Sequence, residues 1–191
     1  NQDTWPDIFI SNDFFEKGYL YINNQDGTFT ESLESAMRTI SAASMGADIA
    51  DINGDGLLDI FVTDMLPEPM GRLKQVTTFE NWDKFQFNKT HGYHYQNSRN
   101  HLHLNNGDGT FSDIGRLTNT EATDWSWGAL LFDADNDSKT DIYVSNGIFH
   151  DEVAAKRNFY AIGRRIRKIV PINKIIVAAA NTSIHSGLTG P

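Results

Sequence analysis

Cysteine and long apolar stretches are missing from this sequence of 191 residues. Without cysteine, the chain cannot form a disulfide, a thiolate metal site or a cysteine nucleophile. No window of about 18 apolar residues occurs, so the sequence predicts no membrane-spanning helix. Basic residues are also scarce, since 16 Lys and Arg oppose 25 Asp and Glu for a formal net charge of -9. Because nucleic-acid binding depends on cationic side chains that neutralise phosphates, this balance argues against a nucleic-acid partner.

The charge divides the chain into an acidic body and a basic tail. Residues 1–150 contain 23 Asp and Glu against 9 Lys and Arg, whereas residues 151–191 contain 2 against 7. In the tail, Phe159, Ile162, Ile166 and Ile169 follow one another at helical spacing, which predicts an amphipathic helix. We expect this tail to be helical or poorly ordered, with docking on the acidic body favoured over binding to a membrane.

The acidic body is internally repeated. Residues 20–29 (LYINNQDGTF) match residues 102–111 (LHLNNGDGTF), and residues 44–64 match residues 126–146 at the same offset of 82. Residues 1–13 form a partial third copy, in which Asn1, Asp3 and Asp7 align with Asn53, Asp55 and Asp59. The spacing of this third copy gives a unit of about 50 residues, with roughly 30 extra residues inserted in the second copy.

Each unit contains short runs rich in β-branched and aromatic residues, such as IFISN and DIFVTD, separated by Asn-Asp-Gly turns. Such runs predict strands joined by tight turns. Units of this length are typical of β-propeller blades, and a β-solenoid is the second interpretation. The sequence therefore predicts an all-β fold, a fragment of a β-propeller with about three blades over residues 1–150. Within the insertion at residues 65–96, residues 70–87 follow Pro67 and Pro69, and their apolar spacing predicts a helix laid over a blade.

Two nine-residue loops carry oxygen side chains at alternate positions. Alternation in a tight loop turns successive side chains towards one centre, and hard oxygen ligands suit Ca²⁺. Positions 1, 3, 5 and 9 supply side chains and position 7 supplies a backbone carbonyl. In chain order, the predicted ligands are Asn1, Asp3 and Asp7 in a partial first loop, Asp51, Asn53, Asp55, Leu57 and Asp59 in the second loop, and Asp133, Asp135, Asp137, Lys139 and Asp141 in the third loop.

These loops are not EF-hands. Position 12 is Val62 in one loop and Val144 in the other, where an EF-hand needs a carboxylate and flanking helices. Gly56 fits the sharp turn at position 6, whereas Ser138 at the same place costs some strain. The alternative is a plain acidic turn, because Asp and Asn are common in turns. The copies in register favour calcium.

The loops, the NN-x-DGTF turns and the segments that begin at Gly46 and Gly128 together resemble the FG-GAP/VCBS repeat proteins. The phrases SMGADIADINGDGLLDIFVTDMLPEP and TDWSWGALLFDADND are similar to bacterial VCBS-repeat proteins related to the ASPIC/UnbV group, often from Bacteroidetes. The resemblance implies integrin-α-like β-propeller blades with calcium loops. It also implies a secreted or outer-surface protein, often a lipoprotein anchored through a part not in this chain. Because position 1 of the first loop is missing, we expect the chain to be a fragment of a longer protein.

Two further groups of residues have alternative explanations. His101 and His103 share one face of a predicted strand and suggest a transition-metal site, but exposed strand histidines are favoured. Trp125 and Trp127 also share a face and suggest stacking on sugar rings, although core aromatic residues between blades are favoured.

The expected function is a non-enzymatic, calcium-binding propeller module that mediates adhesion, protein or glycan binding at the cell surface, or assembly with other outer-membrane subunits. No catalytic residues are predicted. The alternative is a polysaccharide hydrolase or lyase that uses Glu68, Glu80 or Asp83 of the insertion as an acid or base. A purely structural subunit is the third hypothesis.

Overall fold

The computed structural model describes residues 1–13, 16–76 and 81–146, together with the backbone of residues 163–164 and 175–179. Short strands dominate, as the alternating apolar runs predict. The strands are β1 (Ile8–Ile10), β2 (Tyr19–Asn23), β3 (Phe29–Glu31), β4 (Ile40–Ser41), β5 (Gly46–Ala50), β6 (Asp59–Thr63), β7 (Met65–Leu66), β8 (Gln96–Asn97), β9 (His101–Asn105), β10 (Phe111–Asp113), β11 (Asp124–Phe132), β12 (Asp141–Asn146), β13 (Gly163–Arg164) and β14 (Ile175–Ala179). The helices are α1 (Leu33–Ala36), α2 (Met70–Val76), α3 (Trp82–Thr90) and α4 (Gly115–Thr118).

The second repeat forms a four-stranded antiparallel sheet in the order β10-β9-β6-β5. The loop at residues 51–58 joins β5 to β6, the insertion joins β6 to β9, and the turn at residues 106–110 joins β9 to β10. Because neighbouring strands alternate in direction, the acidic loop and the Asn-Asp-Gly turn lie at one end of the sheet and the insertion lies at the other. This sheet is the complete unit against which the other repeats can be compared.

The first and third repeats reproduce parts of this unit. The sheet β1-β2-β3 corresponds to the last three strands of the second sheet, and β11 and β12 correspond to its first two. In the third sheet, β7 pairs with one edge of β11, and β14 runs parallel to β12 on the other side. The two described pieces of residues 151–191, β13 and β14, are strands rather than helix, while Phe159, Ile162, Ile166 and Ile169 lie outside the described residues.

The insertion contains two helices, α2 and α3, instead of one continuous helix over residues 70–87. Asn81 caps α3, because its side-chain oxygen accepts a hydrogen bond of 2.7 Å from the amide of Asp83. Trp82 on this helix is 70% exposed. Among the described residues, no helix has the length and apolar character needed to cross a bilayer.

The three sheets pack against one another through two apolar clusters. The first cluster joins the first and second sheets through Leu20, Ile60 and Val62, together with residues of α1. The second joins the second and third sheets through Phe61, Leu102, Ile142, Val144 and their neighbours. Each interface therefore lies between consecutive repeats, and no sheet closes on itself within the described residues.

Glycine allows the second and third sheets to approach closely. A Cβ atom at Gly46 would lie 2.6 Å from the carbonyl oxygen of Trp127 and 3.2 Å from the Cα of Gly128. Nearby, Asp48 Oδ2 accepts a hydrogen bond of 2.6 Å from the amide of Leu131. Gly46 is therefore required for the packing of these two sheets.

One face of the first sheet is uncovered in the described part of the chain. Ile8 and Ile10 occupy the repeat positions of Ile60 and Val62, yet they are 43% and 38% exposed instead of 3% and 2%. The difference arises because Ile60 and Val62 pack on the first sheet, whereas no described sheet covers Ile8 and Ile10.

Candidate metal sites

The loop at residues 51–59 is organised by the carboxylate of Asp51. Its Oδ1 accepts a hydrogen bond of 2.8 Å from the amide of Gly54, and its Oδ2 accepts one of 2.8 Å from the amide of Gly56. Gly54 and Gly56 have φ of 77° and 84°, a region that glycine enters without steric cost. Burial raises the pKa of Asp51, but these loop amides outweigh it and lower the pKa below its usual value. The anionic form of Asp51 is therefore stabilised within the loop.

Asp59 closes the loop and is fully buried. Its Oδ2 accepts a hydrogen bond of 3.0 Å from the amide of Ile52, and its Oδ1 accepts one of 2.9 Å from the amide of Asn105. Burial raises the pKa of Asp59, and the negative charges of Asp55 and Asp51 raise it further. This repulsion between carboxylates is what a bound divalent cation would remove.

The loop at residues 133–141 repeats the same hydrogen bonds. Asp133 Oδ2 accepts from the amide of Ser138 at 2.8 Å, and Asp141 Oδ2 accepts from the amide of Ala134 at 3.0 Å. Ser138 has φ of 67° where the other loop has Gly56. An L-residue in this region is strained, as the sequence predicts for this position.

Three of the predicted ligands converge in this third loop. Asp133, Asp135 and Asp141 each offer an oxygen, and these oxygens all lie within 4.8 Å of one another. Asp137 is outside this group, because its Oδ1 accepts from the amide of Lys139 at 3.0 Å and its Oδ2 lies 3.8 Å from Lys139 Nζ. The donor set is therefore all oxygen and rich in carboxylate, which suits a hard cation.

The loop at residues 51–59 converges less tightly. Within the part of the chain that the structure describes, only the carboxylates of the 133–141 loop form such a group of three. In the second loop, Asp55 Oδ2 instead accepts a hydrogen bond of 2.8 Å from Asn53 Nδ2, and Asp55 Oδ1 accepts one of 2.8 Å from the amide of Leu57. Asn53 and Asp55 are thus hydrogen-bonded to each other, and their side chains do not point at a common metal position.

The partial loop at the start of the chain keeps the closing contact of the loop at residues 51–59. Asp7 Oδ1 accepts a hydrogen bond of 2.9 Å from the amide of Asn23, as Asp59 does from Asn105. Asn1 Oδ1 accepts one of 3.2 Å from the amide of Asp3. The last Asp of each of these two loops therefore holds its own loop against the neighbouring strand of its sheet, β2 for Asp7 and β9 for Asp59.

The three loops lie side by side and are hydrogen-bonded to one another. Gln2 Nε2 of the first loop donates to the carbonyl oxygen of Gly56 at 2.8 Å. Thr140 Oγ1 of the third loop donates to the carbonyl oxygen of Asp51 at 2.7 Å. A cleft of about 340 Å³ separates the second and third loops, and both Asp51 and Thr140 line it.

The Asn-Asp-Gly turns beside these loops form identical networks in two repeats. Thr28 Oγ1 donates to Asp26 Oδ1 at 2.6 Å, and Asn24 Nδ2 donates to Thr28 Oγ1 at 2.9 Å. Thr110, Asp108 and Asn106 reproduce both contacts at the same distances. The conserved spacing of the NN-x-DGT motif within the chain thus has a structural cause in the turn itself.

The prediction that His101 and His103 are exposed is wrong. Both are buried, and their rings stack with centroids 5.3 Å apart. They pair with Val62 and Ile60 of β6, so they lie on the face of the second sheet that packs on the first sheet. Burial and the neighbouring His101 lower the pKa of His103 to about 3. The alternation of the strand does not show which of its faces another sheet covers, so this burial was not predicted.

Asp113 is the acidic partner of this buried group. Its Oδ2 lies 2.9 Å from His101 Nδ1 and 2.5 Å from Arg99 Nη2. Burial raises the pKa of Asp113, but the contacts with His101 and Arg99 outweigh it and hold the pKa well below its usual range. The group is enclosed between strands and is consistent with a structural role.

A second buried network, around Asp64, was not predicted. Asp64 Oδ2 accepts hydrogen bonds from Ser41 Oγ at 2.5 Å and from the amide of Ala42 at 3.1 Å. Its own amide donates to Asn100 Oδ1 at 2.7 Å. Burial raises the pKa of Asp64. The network lies at the end of β6 opposite Asp59 and ties the insertion side of the second sheet together.

The remaining candidates of the sequence are dispersed. Trp127 on β11 is 50% exposed, so the expectation of a core residue is wrong for this side chain. Glu68 precedes α2 and Asp83 lies in the first turn of α3. Glu80 lies outside the described residues.

Stacked sheets, each with an acidic loop at one end, are typical of a propeller-type repeat module. The sequence profile of the FG-GAP-like repeat matches residues 1–62 and 90–144, which is more than half of the chain. The chain therefore belongs to the FG-GAP-like repeat family, and its open array of sheets is consistent with a β-propeller fragment. The match includes the acidic loops and leaves out most of the insertion. No curated protein matches the chain.

Proposed function

We propose that this chain is a calcium-binding, non-enzymatic propeller module. The observation that carries the proposal is the convergence of Asp133, Asp135 and Asp141, whose oxygens lie within 4.8 Å of one another. Three carboxylates at this separation repel each other, and a divalent cation relieves the repulsion. Oxygen-only ligands in a flexible loop favour Ca²⁺ over Mg²⁺, which requires stricter octahedral geometry.

The role of the ion is structural. Asp133, Asp135 and Asp141 would hold one ion, and the loop of Asp51 and Asp59 would hold a second after Asn53 and Asp55 separate. When bound, calcium supplies positive charge at the end of the sheet. The chain itself fixes the position of the second loop, because Asp59 already holds that loop against β9 through the amide of Asn105.

The proposal extends to location and partners. Extracellular Ca²⁺ is millimolar, so sites with a Kd of about 10⁻⁴ M fill outside the cell and stay mostly empty in cytosol. We therefore place the module in a secreted or outer-surface protein, where it binds a protein or a glycan or assembles with outer-membrane subunits. We also propose that the chain is related to the VCBS-repeat proteins of the ASPIC/UnbV group.

The test is thermal unfolding of the chain in EDTA, in millimolar Ca²⁺ and in millimolar Mg²⁺. Two sites at about ten times their Kd each contribute roughly 1.4 kcal/mol, which raises Tm by a few degrees for a chain of this size. Asp135→Asn removes a carboxylate that is exposed and belongs to the converging group. It should remove at least half of the calcium-induced rise.

The matched control is Asp83→Asn, which removes one exposed carboxylate far along the chain from the loops. This variant should keep the full calcium-induced rise in Tm. If calcium leaves Tm of the wild-type chain unchanged and calorimetry detects no saturable binding, the loops are acidic turns and the proposal fails.

A further inference from the structure

We infer that the acidic loops bind calcium as coupled neighbours, with Thr140 as the residue that positions the second loop from the third. The inference rests on the proposed function, since it concerns how the same loops influence one another. Thr140 Oγ1 donates a hydrogen bond of 2.7 Å to the carbonyl oxygen of Asp51. The two residues are 89 positions apart and lie in loops of different sheets.

The hydrogen bond connects two candidate metal sites directly. Thr140 directly precedes Asp141, the closing residue of the third loop, and Asp51 is the first residue of the second loop. A single peptide therefore links the closing carboxylate of one loop to a contact on the opening residue of the next. When an ion holds Asp141 in place, it also restrains the adjacent Thr140. The hydroxyl of Thr140 in turn restrains the backbone of Asp51.

The second loop depends on this external support more than the third does. Its Asn53 and Asp55 contact each other at 2.8 Å, so its side chains must rearrange before they share one centre. The third loop already brings three carboxylates together. Binding should therefore begin in the third loop and make the second loop easier to fill.

The repeat itself shows that the contact is specific to this pair of loops. The position of Thr140 is occupied by Leu58 in the second loop and by Pro6 in the first, and neither side chain can donate a hydrogen bond. The first and second loops use a different donor, Gln2 Nε2, which contacts the carbonyl oxygen of Gly56 at 2.8 Å. Gln2 is exposed, so we expect its contribution to be the smaller one.

One neutral hydrogen bond sets the scale of the effect. Its net value limits the coupling to roughly three- to tenfold in affinity. Thr140→Val removes the hydroxyl and keeps the β-branched shape, while Thr140→Ser keeps the hydroxyl. We expect Thr140→Val to weaken calcium binding in the second loop by that factor and to affect the third loop less. Thr140→Ser should retain most of the wild-type affinity.

The experiment is a calcium titration of the full chain followed by amide NMR. The amides of Gly56 and Ser138 report on the second and third loops, since each donates to the first Asp of its own loop. Asp135→Asn disables the third loop in both the wild-type and the Thr140→Val chain, which completes a double-mutant cycle. In the wild type, Asp135→Asn should lower the affinity of the second loop three- to tenfold, whereas in Thr140→Val it should have no further effect.

The outcomes distinguish a failure of the calcium sites from a failure of the coupling between them. If no amide in either loop responds to millimolar Ca²⁺, both the proposed function and the coupling are wrong. If both loops bind and Asp135→Asn weakens the second loop equally with and without the Thr140 hydroxyl, the coupling through Thr140 is refuted while the calcium sites stand. Melting curves of Thr140→Val and Thr140→Ser in EDTA show whether either substitution disturbs folding.

Discussion

Replacing Gly46 by alanine tests how tightly the second and third sheets pack. The added Cβ would lie 2.6 Å from the carbonyl oxygen of Trp127, where ordinary van der Waals contact begins near 3.4 Å. It would also lie 3.2 Å from the Cα of Gly128. Both obstacles are backbone atoms, so no side-chain rotation can relieve the contact and the two sheets must separate.

The expected cost follows from the overlap. Inserting a methyl group into a packed interior usually costs about 1 to 3 kcal/mol, and a backbone obstacle places this site at the upper end. For a chain of nearly 200 residues, this corresponds to a fall in Tm of roughly 5 to 10 °C. Urea unfolding followed by far-ultraviolet circular dichroism measures the change in free energy directly.

Gly71→Ala is the matched control for this substitution. Gly71 lies inside α2, and a Cβ there would meet no atom within 4 Å. Alanine is the better helix former, so this variant should be neutral or more stable by about 0.5 to 1 kcal/mol. If Gly46→Ala is as stable as the wild type, the close approach of β5 and β11 is incorrect and the packing of the two sheets must be revised.

Two further predictions concern the buried polar groups. The pKa of His103 is about 3 in the folded chain and about 6.5 in the unfolded chain. Below pH 6.5 the unfolded state therefore binds a proton that the folded state does not bind. The free energy of unfolding should fall in this range by up to about 1.4 kcal/mol per pH unit. Urea unfolding at pH 7.5 and 5.5 should show this loss in the wild type and less of it in His103→Gln; equal slopes would refute it. Asn100 is fully buried and bonds the amide of Asp64, the carbonyl of Thr120 and the hydroxyl of Thr123. Asn100→Ala should therefore cost about 2 to 4 kcal/mol in chemical denaturation, whereas Asn106→Ala in an exposed turn should cost about 1, and similar values for the two would contradict the role of the network.

The repeated part of the fold was accessible to sequence reasoning because its signals are local. An Asp that ends a loop and enters a strand, as Asp59 does, needs only its immediate neighbours to be recognised. The Asn-Asp-Gly turns are local as well, since all the partners of Asp26 in its turn lie within a few residues. Comparison of copies then added the register between units, which a single unit does not contain.

Contacts between distant segments were not accessible in the same way. His101 and His103 alternate like residues of a half-exposed strand. They are buried because they pair with Val62 and Ile60, on the face of the second sheet that packs on the first sheet. The partner of Ser41 is Asp64, 23 positions away and in a different element. Ile8 shows the converse, because its sequence pattern matches buried Ile60 while its exposure depends on which sheet lies beside it.

The closing Asp of each loop is both a candidate ligand and part of the fold, and this double role decides which variants can test calcium binding. Asp59 is buried and accepts hydrogen bonds from the amides of Ile52 and Asn105. Asp59→Ala leaves both amides without an acceptor, so it should cost about 2 to 5 kcal/mol even in EDTA. Asp135→Asn should leave stability in EDTA nearly unchanged and reduce only the gain from calcium. Measured unfolding free energies in EDTA that are equal for Asp59→Ala and Asp135→Asn would show that the hydrogen bonds of Asp59 do not support the blade.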